Sequence, residues 1–202
     1  MIDLKQEGDL WIVTLARPDK ANSLTRPMLE RLVEIAESAG ATRALILTGQ
    51  GKVFSAGADL EEAKAGLAVS DLWERLSGAL ARLPALKIAA LNGTLAGGAN
   101  GMALACDIRI AVPGAKIFYP VMKLGYLPQP SDPARMIALI GPARAKLILM
   151  GGQKITVEEA YDYGLIDRIV PPEDLMATAR ALCADTLAAP AEVAAGIARM
   201  CS

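Results

Sequence analysis

Ile88-Ala89-Ala90-Leu91-Asn92-Gly93-Thr94-Leu95-Ala96-Gly97-Gly98-Ala99-Asn100-Gly101-Met102-Ala103-Leu104-Ala105-Cys106 is the longest uncharged stretch of the chain. By length alone it could cross a bilayer. Asn92, Asn100 and four glycines argue against that. They divide the stretch into a buried strand, a glycine turn and a helix. A short, wholly apolar strand running through a glycine turn into a helix belongs to α/β architecture, where helices cover a parallel sheet.

The flanking sequence repeats the theme. Residues 10–15, Leu-Trp-Ile-Val-Thr-Leu, form a β-rich run after the Gly8-Asp9 turn, and residues 2–5 pair with it as a hairpin. Residues 17–23 read as a loop. Met28, Leu29, Leu32, Val33, Ile35 and Ala36 recur at helical spacing from Pro27 until Gly40. Residues 44–48 are a second apolar strand. Leu72, Trp73, Leu76, Ala79 and Leu80 mark one face of a helix over 71–82, and Pro84 separates it from the strand at 88–91. Further strands are expected at 107–111, 116–118 and 166–170. The last third is mostly helical, with a capping box at Thr156-Val157-Glu158-Glu159 and a C-cap at Gly164. Pro171-Pro172-Glu173-Asp174 opens a final helix that Pro190 interrupts. No repeat, low-complexity tract or long linker appears, so one domain is expected over 1–202.

Composition limits the function. A chain of 202 residues can bury roughly 70% of its unfolded surface, so it needs no metal or disulfide to hold a core. Lys and Arg number 21 and Asp and Glu 22, a balance without the basic excess of a nucleic-acid-binding protein. Histidine is absent. That removes Ser-His-Asp and Cys-His catalysis, histidine acid–base chemistry and most zinc sites, and no metal is expected. Cys106, Cys183 and Cys201 lack CxxC spacing, and the acidic N-terminus does not resemble a signal peptide. A reduced, cytoplasmic protein without a membrane segment is expected.

Two segments carry the candidate chemistry. Phe54-Ser55-Ala56-Gly57-Ala58-Asp59-Leu60 and residues 91–101 each follow a strand and precede a helix. Small residues let main chain approach a ligand, and helix N-termini offer unpaired N–H groups to a polarised oxygen. One donor from each loop would make an oxyanion hole. The same residues also serve tight helix–sheet turns, and both readings stand at this point. Nucleotide-phosphate motifs are absent: residues 97–101 do not fit GxGxxG, and Gly49-Gln50-Gly51-Lys52 does not fit the P-loop.

Four blocks, taken together and in order, resemble the crotonase superfamily, the enoyl-CoA hydratase/isomerase family. They are residues 15–24 (LARPDKANSL), 54–60 (FSAGADL), 92–108 (ending Ala105-Cys106-Asp107-Ile108) and 151–170. The resemblance implies a crotonase-like spiral of ββα turns over about 1–140 with a helical C-terminal part over about 141–202. It also implies a homotrimer or dimer of trimers and an acyl-CoA thioester as substrate, with no separate cofactor. By motif position the thioester carbonyl would lie between the N–H groups of Ala58 and Gly98. Lys20, Ala21, Asn22, Ala56, Gly57, Asp59, Leu60, Glu61 and Gly97 would line the CoA.

The sequence departs from that pattern where hydratases carry their general acid and base. The first glutamate position falls on Gly101 and the second on Val121, while the isomerase carboxylate falls on Gln129. An amide is no general base near neutral pH. Asp132, Gln129 and Tyr126 remain as side-chain candidates in the following loop. Asp132 could instead N-cap the next helix, Tyr126 could be packed structure, and Asp59 and Asp107 fit local structural roles. Glu61 stands where hydratases often carry Lys, and the chain stops soon after Ile197. Three functions are carried forward. The first is an acyl-CoA enzyme relying on enolate stabilisation, with decarboxylase- or isomerase-like chemistry. The second is a non-catalytic acyl-CoA-binding or scaffold subunit. The third is an unrelated α/β domain whose glycine loops only pack.

Overall fold

The computed structural model describes residues 1–201. The elements run β1 (Ile2–Glu7), β2 (Leu10–Leu15), α1 (Arg26–Ser38), β3 (Ala44–Gly49), β4 (Val53–Ser55), α2 (Leu60–Lys64), α3 (Leu72–Arg82), β5 (Leu86–Leu91), β6 (Thr94–Ala96), α4 (Asn100–Leu104), β7 (Ile108–Ala111) and β8 (Lys116–Phe118). They continue with α5 (Val121–Leu124), α6 (Asp132–Leu149), β9 (Ile155–Thr156), α7 (Val157–Tyr163), β10 (Arg168–Ile169), α8 (Leu175–Ala188) and α9 (Ala191–Met200). Two sheets result, one ordered β1-β2-β3-β5-β7-β10 and the other β4-β6-β8-β9. The β1–β2 hairpin is antiparallel, and from β2 onward the larger sheet is parallel.

The chain climbs as a spiral. β3, β5 and β7 each lie in the large sheet, and the short strand that follows each of them, β4, β6 or β8, lies in the small one before the chain turns helical. This is the expected α/β spiral of ββα turns with helices toward the C-terminus. Its central strands are mostly apolar because both faces are covered. Leu45 and Leu47 of β3 meet Leu32 of α1, Leu76 of α3 and Met102 of α4. α8 packs across β3, β5 and β7 on the opposite face, with Ala179 and Cys183 buried. Two cations sit in this core. Lys87 Nζ reaches Leu83 O, Ala85 O and Asp107, and Arg109 reaches Leu165 O, Cys106 O and Asp167. Asp107 therefore has the structural role expected of it.

The uncharged stretch 88–106 is divided among β5, β6, a 3-10 turn and α4. Among the described residues no single helix is long and apolar enough to cross a membrane. The capping box at Thr156 and Glu159 forms, and Gly164 ends α7 in the left-handed region. The strand expected over 166–170 shortens to β10. β4 and β6 are short strands within segments expected to be loops. α6 breaks at Gly141, φ 76°, just before Pro142.

Candidate functional site

β4 and β6 are parallel neighbours, so the loops after them leave the small sheet on the same side. Gly57 has φ 89°, and a Cβ there would lie 2.9 Å from Ala96 O and 3.2 Å from Gly97 Cα. The two glycine loops thus touch main chain to main chain, which only glycine permits. Ser55 Oγ accepts from the Gly57 N–H (3.1 Å) and donates to Asn22 O (2.8 Å), locking the first loop to the segment after β2.

This arrangement orients two amides. Leu24 and Ala58 form a parallel bridge in which Leu24 N–H donates to Gly57 O (2.7 Å) and Asp59 N–H donates to Leu24 O (2.8 Å). Bonds through the flanking residues leave the N–H of Ala58 turned away from that bridge. Gly98 lies in the first turn of the 3-10 segment Gly97–Ala99, where N–H groups lack an intrahelical acceptor. Ala58 and Gly98 line one open cavity of about 210 Å³.

Leu60, Ala63, Ala68 and Trp73 form one wall of the cavity. Tyr119, Pro120, Val121, Leu124, Tyr126, Leu127 and Gln129 form the other. Trp73 Nε1 donates to Leu67 O (2.7 Å), so its polar group is spent and its ring acts as an apolar surface. Tyr119, Tyr126 and Gln129 are the remaining polar side chains, and no Asp or Glu lines the cavity among the described residues. Gln129 Nε2 lies 3.5 Å from Ala68 O, linking the two walls.

Behind Tyr119 stands a buried carboxyl. Tyr119 Oη donates to Asp132 Oδ2 (2.9 Å) and accepts a long bond from the Gln129 N–H (3.5 Å). Asp132 is fully buried, and its Oδ1 has no hydrogen-bond partner. Arg135 approaches that oxygen only to 3.9 Å. Burial raises the Asp132 carboxyl from 3.8 to about 6, against the opposing pull of Tyr119 and Arg135. Burial likewise pushes the Tyr119 phenol upward, reinforced by the Asp132 charge.

Of the residues expected at the site, Ala56, Ala58, Leu60, Gly97, Gly98, Tyr126 and Gln129 line the cavity. Asp132 does not: it lies behind Tyr119, and it is no N-cap either, because Ser131 holds that position. Asn22 is also corrected. Its side chain is fully buried, taking the Arg17 N–H (2.8 Å) and donating to Gln50 O (2.9 Å) and Val53 O (2.7 Å), so it holds the loop together. Gly57 is buried between the loops, and Ala21 O accepts from Ala56 N–H (2.9 Å). Asp59 pairs with Arg17 (2.7 Å), which lowers its carboxyl, and caps α2 through Glu61 N–H (3.2 Å). Lys20 and Glu61 are exposed outside the cavity, with Glu61 paired to Lys64 (2.8 Å). Tyr119 and Trp73 were missed as wall residues. Tyr119-Pro120 directly after a strand marks a chain reversal beside the glycine loops, and that was the available signal.

A two-sheet ββα spiral with an apolar cavity between two glycine loops has the architecture of the crotonase class. The enoyl-CoA hydratase/isomerase family model matches residues 5–200. The YngF protein of Bacillus subtilis strain 168 is 38% identical over 182 residues, covering 86% of this chain and 70% of its own. The short-chain-enoyl-CoA hydratase of Clostridium acetobutylicum is 35% identical over 186 residues, covering 88% and 71%. Among solved structures, the enoyl-CoA hydratase of Bacillus anthracis superposes with TM-score 0.89 at 30% identity, covering 98% of this chain and 81% of that one. A Thermobifida fusca YX protein crystallised with CoA gives TM-score 0.88 at 28% identity, covering 98% and 82%. The chain belongs to the enoyl-CoA hydratase/isomerase family, whose members process acyl-CoA thioesters.

Proposed function

We propose that this protein is an acyl-CoA enzyme that stabilises a thioester enolate between the amides of Ala58 and Gly98, with decarboxylase- or isomerase-like chemistry in place of ordinary hydration. The carrying observation is one cavity that joins both amide loops to acid-free walls. Two preorganised N–H donors aimed at a developing oxyanion lower a barrier by several kcal/mol. Decarboxylation of a malonyl-type thioester generates the enolate directly and needs no strong base. Hydration needs a water activated by paired acids, and Gly101, Val121 and Gln129 supply none. Turnover of a panel of malonyl- and enoyl-CoA thioesters tests this. Loss of carbon dioxide or double-bond migration faster than hydration is expected, and hydration as the fastest reaction overturns it.

The acid-free walls also favour a second reading, a non-catalytic acyl-CoA-binding or scaffold subunit. CoA-thioester binding by calorimetry without turnover of any panel member would select it. The proposal includes a homotrimer or dimer of trimers. Val193, Ile197 and Met200 leave an apolar stripe on α9, exposed by 46%, 57% and 87%, and self-association would cover it. A cytoplasmic location fits three free cysteines.

A further inference from the structure

We propose that Tyr119 and Asp132 form a proton-transfer pair in the cavity wall, in which Tyr119 exchanges a proton with the α-carbon of a bound thioester while Asp132 takes up or returns the tyrosine's own proton. The inference rests on the thioester reading given above.

Geometry carries it. Tyr119 lines the same cavity as Ala58 and Gly98, and its hydroxyl lies 2.9 Å from Asp132 Oδ2. Asp132 is fully buried, and its Oδ1 makes no hydrogen bond, with Arg135 only at 3.9 Å. A half-satisfied buried carboxyl lowers stability, and an asparagine or an apolar residue would fill the space at less cost. Its position is also specific. The carboxyl lies against Gly101, where an added Cβ would come within 2.9 Å of Oδ1 and 3.2 Å of Oδ2. Absence of a side chain at 101 thus makes room for an acid delivered from α6. The charged and titratable groups around Asp132 are Tyr119, Arg135 on its own helix and Glu74 on α3. Glu74 accepts from the Ser131 N–H (3.1 Å) and from the Ser131 hydroxyl, which fixes the start of α6.

The chemistry balances. In the forward direction the α C–H bond breaks, its proton forms a new O–H bond on Tyr119, and the former phenol proton passes to the Asp132 carboxylate. The electron pair moves onto the thioester oxygen as the enolate. In reverse, protonated Asp132 returns a proton to Tyr119 as Tyr119 protonates the α-carbon, which completes a decarboxylation. A carboxyl raised to about 6 is present in both forms near neutral pH.

The test is deuterium exchange at the α-carbon of butyryl-CoA in D2O, followed by NMR, with butyryl-CoA binding measured separately by calorimetry. Wild-type protein should bind and exchange, with a rate that rises through about pH 6 as Asp132 ionises. Tyr119→Phe should lose about 100-fold or more in exchange while keeping affinity within about threefold. Asp132→Asn should exchange slowly and lose the pH step, a change that a merely structural residue would not produce. Tyr119→Phe keeps the ring in place, so it reports even if Asp132→Asn does not fold. Wild-type rates in Tyr119→Phe, a retained pH step in Asp132→Asn, or wild-type binding without exchange would each overturn the pair and leave the thioester reading intact. Absence of binding by the wild type would remove that reading and the pair with it.

Discussion

A methyl group at position 101 would collide with a carboxylate. Asp132 has little freedom to retreat, because it is buried at the first residue of α6 and held by Tyr119. Gly101→Ala should therefore lower stability by about 1–3 kcal/mol in urea unfolding. Asp132 also writes a pH dependence into the fold. Its carboxyl rises from 3.8 to about 6 on folding, so between those values the folded chain holds more protons than the unfolded one. Stability then falls as pH rises through that window, by about 3 kcal/mol in total from this group. Asp132→Asn should remove this contribution, so the melting-temperature difference between variant and wild type should shift in the variant's favour from pH 4 to pH 7. Asn22 gives a different lesson. Its side chain makes three hydrogen bonds and its φ is +50°. Asn22→Ala strands those partners and should cost about 2–4 kcal/mol, measured by chemical denaturation.

At the scale of elements, legibility followed the length of the apolar run. Residues 44–47 of β3 and 88–91 of β5 are continuous apolar segments, and their sequences declare them. α1 and α3 carry one buried face each, and every residue assigned to those faces is buried. The small sheet was harder to read. Val53–Ser55 and Thr94–Ala96 have three residues each beside glycines, too short for any period to register, and their strand character comes from pairing with each other. The site divides the same way. The glycine loops were visible because small residues mark them. The true place of Asp132 depends on how α6 folds back behind the cavity, which no local pattern encodes. The contact between the loops is itself testable. Gly57→Ala would press a Cβ against Ala96 O at a φ of 89°, separating the loops. Turnover of the preferred thioester should fall about 100-fold, since a misplacement near 1 Å costs that much, and kinetics on the same panel would measure it.

At the scale of the whole molecule, two of the exposed apolar surfaces bear on function. Leu60, Leu124 and Leu127 stand exposed around the cavity, by 77%, 59% and 88%. The α9 stripe is the other, with Val193, Ile197 and Met200 spaced to share one helix face. Ile197→Glu places a charge in the middle of that face. If the stripe joins subunits, light scattering should find the wild type as a trimer or hexamer and this variant as a single chain with an unchanged circular dichroism spectrum.

The meeting of Gly57 with Gly97 has a consequence for how such a protein changes over generations. Peptide N–H groups are not spelled by any codon, and only a proline would delete one. Drift can therefore repaint wall side chains such as Leu124 and Leu127 while the contact between the loops is inherited, so long as Gly57 keeps its place. New specificities can arise by repainting that wall, with the meeting of the two loops never having to be reinvented.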